Sequence, residues 1–187
     1  MQTTHVFLVI AFAASAAGSP ALAQRAPASG MWAIGGSIGA TVPADSGLSN
    51  GLEVAGNIEN YVTPRVSIRG QLGISSWDVV GRGFTGSVKP LRLDGNIVYN
   101  WEHVAWHPYV TGGVGMYRYD ASLSGASGAD THAGVDVGGG IEYFVRRRAA
   151  FTAEALYHRV DTFSTPLATF RGSFWSLDVG LKAYLKH

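Results

Sequence analysis

The sequence predicts an all-β fold, an eight-stranded antiparallel up-and-down transmembrane β-barrel. Three observations carry the prediction. Side-chain character repeats every second residue from Met31 onward, eight such segments each run to roughly ten residues, and the connections between them alternate long and short. Strands of about 9–11 residues are what a tilted strand needs to cross a bilayer, and they exceed the usual soluble strand.

Composition sets the frame. The chain has 187 residues, of which 14% are charged and 25 are glycine, with a formal net charge of +1. That suffices for one domain with a modest core. The near-zero charge points to no nucleic-acid partner. Cysteine is absent, which removes thiolate metal sites, disulfides and cysteine nucleophiles together.

The N-terminus has the build of an export signal. Val6–Ala14 is a short apolar run and Ala21-Leu22-Ala23 forms an A-x-A cleavage site. Residues 1–23 are therefore expected to be a cleaved signal peptide, 24–30 a flexible mature N-terminus, and 31–187 the barrel domain. The signal lacks a basic residue ahead of the apolar run, which departs from the usual pattern.

The eight segments are Met31–Thr41, Gly51–Tyr61, Val66–Ser76, Lys89–Trp101, Trp106–Tyr119, Thr131–Phe144, Ala149–Val160 and Phe174–Leu185. The last shows the period best: Trp175, Leu177, Val179 and Leu181 alternate with Ser176, Asp178, Gly180 and Lys182. Alternation places one set on each face of the sheet. Long connections are expected at Val42–Asn50, Trp77–Val88, Asp120–Asp130 and Asp161–Ser173. Tight turns are expected at Val62–Arg65, Glu102–Ala105 and Val145–Arg148. Outer-membrane barrels carry their long loops outside and their short turns in the periplasm.

A two-faced sheet can also close as a soluble lipocalin-like carrier, with its apolar face inside. The apolar face here is too bulky for a small barrel's interior, so lipid is assigned to it. The inward polar network is then Glu53, Glu59, Arg69, Arg92, Asp94, Asp136, Glu142, Glu154, Asp178 and Lys182. Buried charges are costly alone, so these are expected to pair across the lumen as a structural plug. The rival reading is a narrow pore, in which the excess of acids favours cations. Aromatic girdles are expected at both interfaces. Trp32, Tyr61, Tyr99, Trp101, Trp106, Tyr109, Tyr143, Phe144, Phe151 and Tyr184 mark the short-turn end. Trp77, Tyr117, Tyr119, Tyr157, Phe174 and Trp175 mark the other.

With these residues in place the chain resembles the small eight-stranded outer-membrane β-barrels, similar to the OmpA-type transmembrane domain and OmpX. The resemblance runs from about Met31 to the end. It rests on Gly112-Gly113-Val114-Gly115-Met116-Tyr117 after Pro108-Tyr109, on Gly138-Gly139-Gly140-Ile141-Glu142-Tyr143-Phe144, and on the amphipathic last strand. It implies a monomeric, non-catalytic barrel in a Gram-negative outer membrane, inserted by the barrel-assembly machinery and surrounded by outer-membrane lipid and lipopolysaccharide. No cofactor is implied. Such chains usually end in an aromatic residue, whereas this one ends Tyr184-Leu185-Lys186-His187.

Two motifs invite chemistry. Gly138–Gly140 is followed by continued alternation rather than by a helix or a Lys, so it lacks the frame of a phosphate loop. Glycine in a barrel strand instead permits close approach and curvature. His158, with Ser164 behind it, invites comparison with the lipid A deacylases, barrels that act through a strand-borne Ser and His. Their motif places Ser two residues after the His and Asn next; here those positions are Val160 and Asp161. A lipid A-modifying enzyme is thus disfavoured. His103 and His107 flank a turn with nothing beside them to complete a metal site. Arg146-Arg147-Arg148 reads as a solvated turn beside lipid headgroups, or as a dock for an acidic periplasmic partner. The expected role is structural or surface-interactive.

Overall fold

The computed structural model describes residues 27–80, 85–101, 106–124, 126–165 and 168–185. The signal peptide, residues 24–26, the turn Glu102–Ala105 with His103, and the terminal Lys186-His187 lie outside the described residues.

Eight strands close into one antiparallel barrel. They are β1 (Trp32–Pro43), β2 (Gly51–Tyr61), β3 (Val66–Asp78), β4 (Gly86–Asn100), β5 (Trp106–Leu123), β6 (Ala126–Arg146), β7 (Ala149–Val160) and β10 (Phe174–Tyr184). Going round the wall the order is β1-β10-β7-β6-β5-β4-β3-β2. The first and last barrel strands pair from Ala33↔Tyr184 to Pro43↔Phe174, so no edge is left open. Two short strands, β8 (Thr162–Ser164) and β9 (Thr169–Arg171), form a separate hairpin at one end.

The faces are inverted relative to a soluble protein. Leu52, Val114, Ile97 and Ile38 are among the most exposed side chains, while Glu59, Arg92 and Lys182 are buried. An apolar exterior around a charged interior suits lipid outside and excludes the lipocalin-like arrangement. Alternation is sustained along β4 and β10, whose burial switches at nearly every residue.

One of the expected long connections is something else, and another holds structure of its own. Asp120–Asp130 is almost entirely strand: β5 and β6 pair through Leu123↔Ala126, and the chain reverses at Ser124, which has a positive φ of 44°. Asp161–Ser173 carries the β8–β9 hairpin. Neither was legible because Gly, Ser, Asp and Thr dominate both, with few apolar residues (Ala121, Leu123, Phe163 and Phe170) turned inward. The outward face turns polar at the membrane boundary, with Arg118, Asp120 and Ser122 exposed, while backbone pairing continues for as long as a partner strand is present. The barrel is consequently lopsided. β5 has 18 residues and β6 has 21, against 11 in β2, so β4, β5 and β6 rise beyond the bilayer as a ledge.

Candidate functional site

The interior is filled in three layers. All ten residues of the sequence-derived polar network lie inside the barrel, and most of them interlock. Toward the short-turn end, Lys182 Nζ donates to Glu59 Oε2 at 2.6 Å and also to Glu142. Glu59 further accepts from the Ser67 hydroxyl and from Arg69 Nε at 3.3 Å. Arg69 reaches across to Glu154 at 2.5 Å, and the Tyr109 hydroxyl donates to the same carboxylate at 2.8 Å. Charge-assisted bonds of this kind are what allow ions to stay buried.

A second ionic group stands nearer the outer end. Arg92 forks between Glu53, at 2.6 Å, and Asp94, at 2.6 Å. Among the described residues, Asp136 accepts from the Asn96 amide but has no cation in contact, and both oxygens of Asp178 lack a hydrogen-bond donor. Glycine makes the room. A Cβ at Gly39 would strike the Leu177 carbonyl and the Asp178 carboxylate, and one at Gly73 would strike the Arg92 side chain. A cavity of about 20 Å³ remains, bordered by Asn57, Arg69, Gln71, Glu154 and Asp178, which is room for about one water molecule.

Aromatic layers close both ends, and here the girdle assignment needs correction. Tyr61, Tyr109, Phe144, Tyr184, Trp77, Tyr117, Tyr119 and Phe174 are buried inside the barrel instead of facing lipid. Their height along the strand suits a girdle, but parity decides the face. Tyr61 shares parity with Glu59, Tyr184 with Lys182, Phe144 with Glu142, Trp77 with Arg69 and Phe174 with Asp178. On β5 no inward charge marks the parity, so Tyr109, Tyr117 and Tyr119 carried no such signal. Trp32, Tyr99, Trp101, Trp106, Tyr143, Phe151 and Trp175 do stand exposed on the outer wall, with Tyr157 half-buried beside Trp175.

The short-turn end is stoppered by Tyr61, Phe144, Ala150 and Tyr184. Tyr184 also donates to Glu142, tying this layer to the ionic one. The outer end holds a larger apolar cluster around Trp77, Tyr117, Tyr119 and Phe174. The β8–β9 hairpin folds into it. Phe163 stacks on Tyr119 with ring centroids 4.3 Å apart, and Phe170 packs on Phe163. Trp77 Nε1 finds the Thr41 hydroxyl at 2.7 Å, and the Tyr119 hydroxyl donates to the Gly172 carbonyl at 2.7 Å.

His158 sits between the layers. Its Nδ1 lies 3.0 Å from the Tyr117 hydroxyl and its Nε2 lies 3.1 Å from Ser176 Oγ. The serine beside the histidine is therefore Ser176 on β10. Ser164 lies on the hairpin, where its N–H bonds to Asp130. A Ser–His contact can activate a nucleophile where substrate can approach. Here both side chains have no exposed surface, and Phe174 stacks on the imidazole at 4.4 Å. The sequence concealed this contact because pairing across β7 and β10 joins residues 18 apart. Among the described residues no group of three or more His, Asp or Glu converges in metal-binding geometry.

Comparison with known proteins agrees with this architecture. Neisserial surface protein A is 14% identical with a TM-score of 0.64, matching 84% of this chain and 98% of its own. The outer membrane protein OprG of Pseudomonas aeruginosa is 15% identical with a TM-score of 0.72, matching 86% of this chain and 98% of its own. The N-terminal β-barrel domain of OprF from the same organism is 14% identical with a TM-score of 0.54, matching 85% and 100%. At these identities the likeness is one of fold. No curated protein matches the sequence. Residues 8–182 match the outer membrane protein beta-barrel domain; the chain belongs to that family and is a bacterial outer-membrane protein.

Proposed function

We propose that this barrel is a non-catalytic structural and surface-interaction element of the outer membrane. The observation that carries this reading is the filled interior, with ionic pairs between two aromatic stoppers. The β4–β6 ledge gives the molecule its contact surface. Arg118, Asp120, Ser122, Ser127 and Thr131 stand along it facing water, and no comparable projection exists on β2. As a monomer it would occupy lipid and lipopolysaccharide on all sides.

A narrow pore is the second reading, and one observation favours it. The lumen holds seven carboxylates (Glu53, Glu59, Asp94, Asp136, Glu142, Glu154 and Asp178) against the three cations Arg69, Arg92 and Lys182. Any ion path through this layer would prefer cations. Planar-bilayer recording separates the two readings. A silent membrane after verified insertion supports the closed structural barrel, and steady cation-selective conductance would replace that reading with the pore.

A further inference from the structure

We infer that the Arg146–Arg148 turn is a binding site for the phosphate of anionic phospholipids in the periplasmic leaflet. The inference starts from where the turn sits. β5, β6 and β7 end in a row of outward aromatics joined by direct cross-strand pairing, Trp106↔Tyr143 and Tyr143↔Phe151. Trp106 and Tyr143 are in ring contact at 4.7 Å. Such a row marks the membrane–water boundary. The turn follows within a few residues, which brings its guanidinium groups to headgroup height.

Local backbone geometry keeps the arginines outside the barrel. The β6–β7 register shifts between Phe144 and Arg146. Strict alternation from the inward Phe144 would return Arg146 to the lumen mouth, over Tyr184. The bulge takes up the extra residue, and Arg146, Arg147 and Arg148 are all exposed. The turn is also held in place, because the Tyr184 N–H donates to the Arg148 carbonyl at 2.9 Å.

The three charges are unspent. Among the described residues none of them forms an ion pair, whereas the inward cations Arg69, Arg92 and Lys182 are all taken up. Arginine's planar fork matches phosphate with two parallel hydrogen bonds. Clustered cations next to a membrane surface read as anionic-lipid contacts. The lipid site is favoured over an acidic protein partner because the aromatic row leaves the turn at lipid headgroups rather than out in the periplasm.

Native mass spectrometry of the full barrel in detergent tests this, with phosphatidylglycerol and phosphatidylcholine as probes. The folded protein should retain phosphatidylglycerol over phosphatidylcholine by roughly tenfold. Combined Arg146→Gln, Arg147→Gln and Arg148→Gln should abolish the preference, with folding checked by the heat-dependent shift on an SDS gel. Arg147→Gln alone, at the turn tip, should weaken it, and Arg118→Gln at the outer end should leave it intact. Equal retention of both lipids, or a triple variant that keeps the preference, would overturn the site. Loss in Arg118→Gln equal to that in the triple variant would reduce it to general charge. Capture of poly-glutamate without any lipid preference would replace the lipid by an acidic protein partner.

Discussion

Lys182 Nζ lies 2.6 Å from Glu59 Oε2, joining β10 to β2 across the intervening β1, between residues 123 apart in the chain. On β1, Gly35 is paired with Lys182 and the buried Ala33 with Glu59. A single ammonium there satisfies two buried carboxylates, Glu59 and Glu142, and so links three strands of the wall.

Replacing Lys182 with Met leaves Glu142 buried without its cation and Glu59 with only the longer ionic contact to Arg69 at 3.3 Å. The expected cost is about 3–5 kcal/mol, read as a lower urea midpoint and a lower temperature for loss of the compact SDS-gel form. A further Glu59→Gln and Glu142→Gln change should recover most of the loss. If the single variant is as stable as the parent, the bridge contributes nothing to folding.

Phe163→Ala removes the ring stacked on Tyr119 and should release the hairpin without opening the wall. Amide exchange over Thr162–Arg171 should rise by an order of magnitude or more, since truncating a packed Phe costs about 3–5 kcal/mol. β2 and β3 should be unchanged. Equal protection in both proteins would mean that the hairpin is held by something other than its phenylalanines.

Two glycines should respond differently to a methyl group. Gly39→Ala drives Cβ into the Leu177 carbonyl at the β1–β10 closure, where backbone cannot yield. A loss of about 1–3 kcal/mol and slower barrel formation are expected. Gly95→Ala meets nothing within 4 Å and should stay within about 0.5 kcal/mol of the parent. Refolding into detergent micelles distinguishes them, and equal behaviour would refute the steric account.

Asp130, on the ledge, is held below the usual carboxylate range by His132, whose Nε2 lies 2.9 Å away, and by the Ser164 N–H. A depressed carboxylate favours the folded contact above its unfolded value and loses that contribution as pH falls through the folded one. Protease nicking of the hairpin should therefore be constant from neutral pH down to about the ordinary Asp value, and increase only below it. Asp130→Asn should nick faster at neutral pH and lose the acid dependence. Nicking that rises already near pH 6 would assign the control to another group.

Much of the fold was legible in the sequence because a membrane barrel is a repetitive solution. Trp175 through Tyr184 alternates so regularly that strand, face and span length follow from one rule. All ten inward charges could be found from parity alone, since lipid leaves them nowhere else to go. The girdle failed where height was used in place of parity, as at Tyr61 and Trp77. The Asp120–Asp130 stretch failed because its outward face is polar and rich in Ser, Asp and Gly, so only Ala121 and Leu123 on the inner face carry the alternation onward.

The sequence by itself determined the closed eight-stranded wall, its inside-out polarity and its place in the outer membrane. Tertiary structure alone decided which charges meet. Arg92 serves both Glu53 and Asp94, Lys182 serves both Glu59 and Glu142, and among the described residues Asp178 is left without a cation. It also decided that Phe163 and Phe170 turn inward to seal the outer mouth. The physical reason is range. Period and length are properties of a strand and its solvent, whereas pairing across a lumen depends on strand stagger and on the side chains that closure brings face to face.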